Sequence, residues 1–400
     1  MTGGRAGGRA GGRSIRCWLT GRMDLRWMTA PPDDVAEAMA TVRRESRPSW
    51  SPTKRQVLLH VNNCLLLWYM FVVFMSIGVQ VDAVQDGQLA SRDVAVLSVT
   101  MPILAVWLVG TVLLYRATKR PPSARARLRE WRRTLTALAN GYEPRPSERA
   151  TFSSLITSSS VGVRACPRFA ARGTEFGVLK ARGPRATAWQ YVAVKLSAPL
   201  PHLILDATSN DGVGTDLPAG VDRGQRLSLE GDFDRWFRVY SPARYGQDAL
   251  YVLTPDLMAA LIDHASAYNV EIIDDTLVFF TSPGVDFFAI EHWERVGAVL
   301  EGVVPRVTSK ARQYLDERVP GQDVPFALAA VKAALDRPGV PWTPPDPVIG
   351  GDGRRLVVRN RQTGMGPIVA SIAWYVFRTS LYVVPGIFAF AGFMSIIDGR

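Results

Sequence analysis

Acid–base, metal and nucleophilic chemistry near neutral pH would rest first on histidine and cysteine, and the chain carries four histidines, His60, His202, His264 and His292, and three cysteines, Cys17, Cys64 and Cys166. None of the histidines has a second His, Cys or carboxylate at a recurrent metal-ligand spacing, and the cysteines form neither a metal knuckle nor a disulfide framework. His292 follows Glu291 and His264 lies in a helical stretch, positions that suit solvated helix residues better than a catalytic pair. Asp232 with Asp234, and Asp274 with Asp275, are paired carboxylates in turn-like settings, where such residues cap backbone groups. The one glycine-rich candidate for phosphate, Gly212-Val213-Gly214, lacks the lysine of a P-loop and the third glycine of a dinucleotide fingerprint; Gly350-Gly351-Asp352-Gly353 reads as linker. No nucleophile elbow or zinc-protease motif occurs. The sequence therefore nominates no catalytic, cofactor-binding or metal-binding residue and implies no cofactor, and whether the chain is an enzyme stays open, leaning against.

The elements that would position any site divide into two populations. Val57 to Val81 and Val94 to Tyr115 are apolar runs without a charged residue, each longer than the roughly 20 residues a helix needs to cross about 30 Å of hydrocarbon. Without period-2 alternation they read as helices, the form that satisfies its own backbone in lipid. Pro367 to Ile397 is apolar except for Arg378. A charge at mid-membrane costs about 3 kcal/mol on insertion scales, so the third span is placed at 379–397, with 367–378 as an interfacial lead-in. Pro102 and Pro385 are expected to bend the second and third spans. His60, Asn62 and Asn63, in the first turns of the first span, read as interfacial polar groups rather than a proton path.

Charge locates the flanks. Net charge is +11, and residues 151–400 balance at 25 basic against 25 acidic, so the excess lies beside the apolar runs. That distribution argues against a nucleic-acid partner, which would ask for a basic face on the soluble domain. Arg43, Arg44, Arg47, Lys54 and Arg55 precede the first span, and Arg116, Lys119, Arg120, Arg125, Arg127 and Arg129 follow the second, while the 82–93 loop holds Asp82, Asp86 and Asp93 against Arg92 alone. Arg354, Arg355, Arg359 and Arg361 precede the third. The positive-inside rule then sets the N-terminus inside, the 82–93 loop outside, the large domain in the cytosol and the C-terminus outside. Arginine makes up 41 of the 47 basic residues, which points to a high-GC bacterial genome and hence to a bacterial plasma membrane.

The expected organisation is a disordered Gly/Arg-rich tail over 1–30, a cytosolic helix and link over 31–56, transmembrane helices at 57–81 and 94–115, a basic juxtamembrane helix over 116–150, a soluble domain over 151–340 and a linker over 341–366. Met23 and Met28 are alternatives to Met1 as the start of translation. In the 124–139 helix, Leu128, Trp131, Leu135 and Leu138 form one apolar stripe amid arginines. It suits either the anionic lipids of the inner leaflet, touched over 116–133, or docking on the domain. Within the domain, 191–196 and 202–207 are expected as two strands joined through Pro199 and Pro201, and 270–273 with 277–281 as a hairpin. Further short strands are expected at 225–229, 238–240 and 249–253, and helices at 255–268 (Thr254 as N-cap), 286–317 broken near Pro305, and 325–336. The fold class is thus three transmembrane helices plus an α+β domain with a mainly antiparallel sheet.

Two stretches carry a resemblance. Leu227-Ser228-Leu229-Glu230 with Asp232-Phe233-Asp234-Arg235-Trp236-Phe237-Arg238-Val239-Tyr240, and then Ala249-Leu250-Tyr251-Val252-Leu253-Thr254-Pro255-Asp256-Leu257-Met258, resemble a widespread family of uncharacterised bacterial membrane proteins, a domain of unknown function in which two membrane helices precede a soluble domain. The likeness covers 227–282 and implies no catalytic residue. The expected function is a membrane-tethered interaction or scaffold domain, self-associating or holding a protein partner; a membrane-bound enzyme or ligand sensor, and a small transporter subunit, are the alternatives.

Overall fold

A computed structural model describes residues 23–42, 53–83, 91–158, 163–180, 188–211, 215–229, 231–316 apart from 283 and 285, 318, 324–336, 356, 358–359 and 365–398. The expected tail over 1–22, the middle of the 82–93 loop, both glycine-rich segments and most of the 341–366 linker lie outside the described residues. The chain forms two compact units, one of Met1–Glu45 with Ala124–Arg361 and one of Ser46–Ser123 with Gln362–Arg400.

The first unit opens with helices α1 (Arg26–Thr29) and α2 (Pro32–Ala40). The second contributes the next two helices, α3 (Lys54–Ala83) and α4 (Ser91–Lys119). The first unit resumes with α5 (Ala124–Ala139), strand β1 (Glu143–Pro144), α6 (Leu155–Ser158), β2 (Arg164–Ala171), β3 (Thr174–Lys180), β4 (Ala188–Ala207), β5 (Gly220–Val221) and β6 (Arg226–Leu227). Then come α7 (Phe233–Trp236), β7 (Phe237–Tyr240), α8 (Gly246–Val252), α9 (Pro255–Ala265), β8 (Asn269–Thr281), α10 (Ile290–Gly302), α11 (Val304–Gln313), α12 (Phe326–Asp336) and β9 (Val358–Arg359). The last element, α13 (Met365–Asp398), returns to the second unit.

The sheet is antiparallel throughout, in the order β1-β2-β3-β4-β7-β6, with β8 on the other edge of β4. Two expectations fail here together. The segments 191–196 and 202–207 are one 20-residue strand, and 270–273 with 277–281 are one 13-residue strand; the two long strands pair with each other. Their register slips between Lys195 and Leu203, opposite Asp274, which stands at φ 52°. A one-residue slip moves side chains to the opposite face. On β4, Val192, Val194 and Leu196 face the larger core before the slip, and Leu203 and Leu205 face it after. Pro199 and Pro201 fall inside the irregular stretch, where the ladder does not need their missing N–H groups.

The larger core lies between one sheet face and helices α7 to α11, around Phe169, Phe176, Trp293 and Phe279. The smaller one, on the other face, is closed by α6 and irregular chain: Leu155, Ile156, Leu217, Ala219 and Leu356 cover Tyr191, Ala193, Ile204, Val278 and Phe280. The linker thus contributes to the domain, through Leu356 and through the pairing of β9 with β5.

Other differences have local causes. Of the residues 249–253 expected as a strand, 249–252 belong to α8 and Leu253 follows it, because Ala249 and Val252 bury at a spacing of three. At 225–229 a single 3-10 turn and the two residues of β6 replace the expected strand. Strands β2 and β3 were not anticipated. Residues 23–30 were expected to be disordered, yet Met23, Leu25 and Met28 pack on the larger core and Asp24 exchanges two hydrogen bonds with Asn140. The low-complexity repeat stops short of them, and their apolar side chains offset the entropy of ordering. The expected lead-in at 367–378 and the third span at 379–397 lie on one continuous helix, α13, of 34 residues, because a single charge does not interrupt the backbone ladder. The apolar stripe of α5 is covered: Leu135 buries with Val35 and Met39, and Leu128, Trp131 and Trp27 close the cluster.

Among the described residues three helices, α3, α4 and α13, are long and apolar enough to cross a membrane. In the second unit α3 is central, packing on both others. Asn62 Nδ2 donates to Thr111 Oγ1 at 2.8 Å, Trp107 Nε1 donates to Asn62 Oδ1 at 3.0 Å, and Tyr69 donates to the Thr100 carbonyl at 2.9 Å, so α4 runs antiparallel to α3. Tyr382 meets His60, Phe388 meets Phe71 and Phe393 meets Phe74, so α13 runs parallel to α3. A Cβ on Gly392 would stand 2.6 Å from the Phe74 carbonyl carbon, and one on Gly78 2.8 Å from the Gly392 oxygen; glycine at both positions lets the backbones touch.

Candidate functional site

Several buried polar side chains of the α+β unit meet on the smaller-core face of the sheet. Glu271 comes from the register-shifted half of β8, His202 from the matching half of β4, and Ser154 from the chain entering α6; all three are buried. His202 Nε2 stands 3.0 Å from Glu271 Oε1. Glu271 Oε2 accepts from Ser154 Oγ at 2.5 Å and from the Leu155 backbone N–H at 2.8 Å. His202 Nδ1 accepts from the Leu356 N–H at 3.1 Å. That bond fixes the tautomer: Nδ1 carries the lone pair, so Nε2 carries the proton and donates to the carboxylate.

The residue types are those of a nucleophile–base–acid relay, but the wiring differs. In such a relay the imidazole stands between the hydroxyl and the acid and accepts the hydroxyl proton. Here the carboxylate stands in the middle, the serine donates to it, and the lone pair of the imidazole is engaged by Leu356. The arrangement fastens three chain segments rather than activating Ser154.

A second carboxylate, Glu175 of β3, faces the same way. Its Oε2 accepts from Thr151 at 2.7 Å and from the Arg168 guanidinium, and its Oε1 accepts from the Tyr191 hydroxyl at 3.0 Å. Burial, with the Glu175 charge adding to it, holds the Tyr191 phenol well above its ordinary range, so it stays a donor. Beside this cluster is a groove of about 120 Å³ lined by Thr151, Phe152, Gly173, Glu175, Lys195 and Thr276, with Lys195 paired to Asp275. Pockets that engulf small-molecule ligands start at roughly 300 Å³. A third carboxylate, Asp206, accepts from Thr215 at 2.9 Å and from Arg238 at 3.0 Å, and Arg238 also reaches Asp211. Burial pushes the Asp206 carboxyl up, against the hydrogen bonds of Thr215 and Arg238.

The residues weighed from sequence are dispersed. Asp234 caps a turn through Ser228 and the Leu229 N–H, and Asp232 pairs with Arg235 on the surface. Asp274 sits at the bulge and Asp275 pairs with Lys195. The His264 ring lies 2.1 Å from where a Cβ on Gly302 would stand, which makes it a packing residue between α9 and α10. His292, expected as a solvated helix residue, is buried against Phe287 at 4.7 Å between ring centres. Burial, with Arg295 adding to it against Asp286, pulls its imidazole down to about 4. Among the described residues no cluster of three or more His, Cys, Asp or Glu side chains could hold a metal. Glu271, Glu175 and Arg168 escaped the sequence reading; a carboxylate between Val270 and Ile272, and a histidine opening the run HLILDA, were the signals.

No protein-family model matches the chain, and no curated protein matches it. Among solved structures, the crystal structure of the mycobacterial trehalose monomycolate transport factor A, TtfA, is similar at a TM-score of 0.32 and 11% sequence identity, over 44% of this chain and 90% of that one. A likeness at that level fixes neither fold nor function, and the resemblance of 227–282 to the uncharacterised membrane family stands on its residues alone.

Proposed function

We propose that the chain is a bacterial plasma-membrane protein whose α+β unit is a cytosolic interaction domain, held to the bilayer at both ends and docking a protein partner. The observation that carries the interaction reading is on α12. Leu328, Val331 and Leu335, spaced three and four apart, are 57%, 57% and 75% exposed on a helix that packs against α11 and β4. Scattered exposed apolar residues need no explanation, but a stripe in helical register does. Anchoring is supported by the connectivity: α4 leads into α5, whose stripe is buried, and Leu356, nine residues before α13, is tied to His202.

The buried carboxylates favour this reading over an enzyme, since their donors are engaged in holding chain segments. Replacing Leu328 and Leu335 with aspartate in the full chain tests it. Photo-crosslinking from position 331 in cells should give a discrete adduct, with a partner or a second copy, that the double variant loses. Monomeric, adduct-free chain under both conditions would refute the interaction reading.

A further inference from the structure

The helix unit is segregated by charge in a way that needs the fold to be seen. Within α3, α4 and α13 the only carboxylates are Asp82, Asp93 and Asp398. Asp82 closes α3, Asp93 opens α4 and Asp398 closes α13. Because α4 is antiparallel to α3 and α13 is parallel to it, all three collect at one end. The cations of these helices, Arg92 beside Asp93 apart, take the other end. Arg55 Nη1 donates to the Ala117 carbonyl at 3.2 Å, which sets Lys54 and Arg55 level with Arg116 and Lys119. Tyr382 donates to the His60 carbonyl at 3.0 Å, and Arg378, one turn before Tyr382 and exposed, therefore stands level with the first turns of α3. Arg378 is remote from the other cations in sequence; only the parallel packing brings it to them.

Two tyrosines accompany this end: Lys119 lies 5.2 Å over the Tyr115 ring, and Tyr382 sits beside the His60 ring. Aromatic rings with a polar tip mark the headgroup level of a bilayer, and long arginines reach toward it from inside.

From this geometry we propose that Lys54, Arg55, Arg116, Lys119 and Arg378 form a collar that binds the phosphodiester headgroups of anionic phospholipids. Charge complementarity selects the occupant. Five cations from three helices face a level where phosphate is the abundant counter-ion, and no carboxylate of these helices lies at that end. Each cation near an anionic surface is worth on the order of fivefold in affinity. The proposal rests on the membrane reading of the three helices and deepens it.

The test uses the full chain, purified in detergent and equilibrated with equimolar phosphatidylglycerol and phosphatidylcholine, the retained lipid being measured by native mass spectrometry. Phosphatidylglycerol should be retained at least fivefold over phosphatidylcholine. The triple variant Arg55→Gln, Arg116→Gln, Arg378→Gln should bring the ratio close to one. Equal retention by the unaltered chain would overturn the proposal even if the variant fails to fold. Displacement of the lipid by millimolar inorganic phosphate would move the site to a soluble anion and overturn it too. Carbonate extraction of the unaltered chain separates the two levels: if the chain is released, the membrane reading fails; if it stays inserted without lipid preference, only the collar fails.

Discussion

The hydroxyl of Tyr382 donates to the carbonyl of His60 at 3.0 Å, joining residues 322 positions apart and setting α13 alongside α3 in the same direction. Farther along the same seam, Gly392 rests on the backbone of Phe74.

Substitution on that seam should therefore be asymmetric. Gly392→Leu places atoms where the Phe74 backbone stands and should destabilise the helix unit by about 3 kcal/mol. Gly386→Leu, with nothing within 4 Å of its Cβ, should be tolerated. Disulfide trapping between cysteines placed at 71 and 388 reads the outcome: the bridge should form with Gly386→Leu and fail with Gly392→Leu.

The Glu271 network predicts a large cost for a small chemical change. In Glu271→Gln the new NH₂ faces either the Nε2–H of His202 or the N–H of Leu155, and the tautomer cannot switch because Leu356 holds Nδ1. One buried donor is left facing another, at a cost of roughly 3 kcal/mol. Thermal unfolding of the full chain should register it, and hydrogen exchange at Leu356 should accelerate more than at the distant Val296. Unchanged exchange at Leu356 would contradict the fastening role.

His292 gives a signed pH dependence. Its folded value of about 4 lies below the unfolded 6.5, so over that range the unfolded chain binds a proton that the folded one excludes. The stability is present in full above pH 6.5 and is lost as pH falls toward 4, by about 3 kcal/mol. His292→Phe keeps a ring beside Phe287 and removes the proton. Midpoints of wild type and variant, measured from about pH 8 to about pH 4, should diverge below 6.5; parallel curves would contradict the assignment.

Arg133 lies over three rings, 5.5 Å from Phe169, 5.8 Å from Phe287 and 4.7 Å from Phe288. Arg133→Ala should loosen α5 by about 1–2 kcal/mol, seen as faster hydrogen exchange around Leu135. Arg125→Ala, outside these contacts, should leave it unchanged.

The apolar runs and their flanks were legible because membrane thickness imposes a length, and length survives without knowledge of packing. The sheet was legible only in class. A period-2 reading breaks wherever a bulge moves side chains to the other face, so Lys195–Leu203 and Asp274 each turned one strand into two. The stretch Ala249–Leu253, which closes α8, reads apolar enough for a strand until the burial of Ala249 and Val252 on one side is known. The Glu271–His202–Ser154 network joins residues up to 117 positions apart, and only the slipped register aligns them. The level of Arg378 depends likewise on helix direction: it reads as a boundary residue in sequence, and the parallel packing of α13 sets it level with the first turns of α3.

Labelling with a membrane-impermeant maleimide tests the anchoring and its direction together. In a chain freed of native cysteines, Gln88→Cys in the acidic loop should react in intact cells, whereas Ser228→Cys in the α+β unit should react only after permeabilisation. Labelling of Ser228→Cys from outside, with Gln88→Cys protected, would contradict the account.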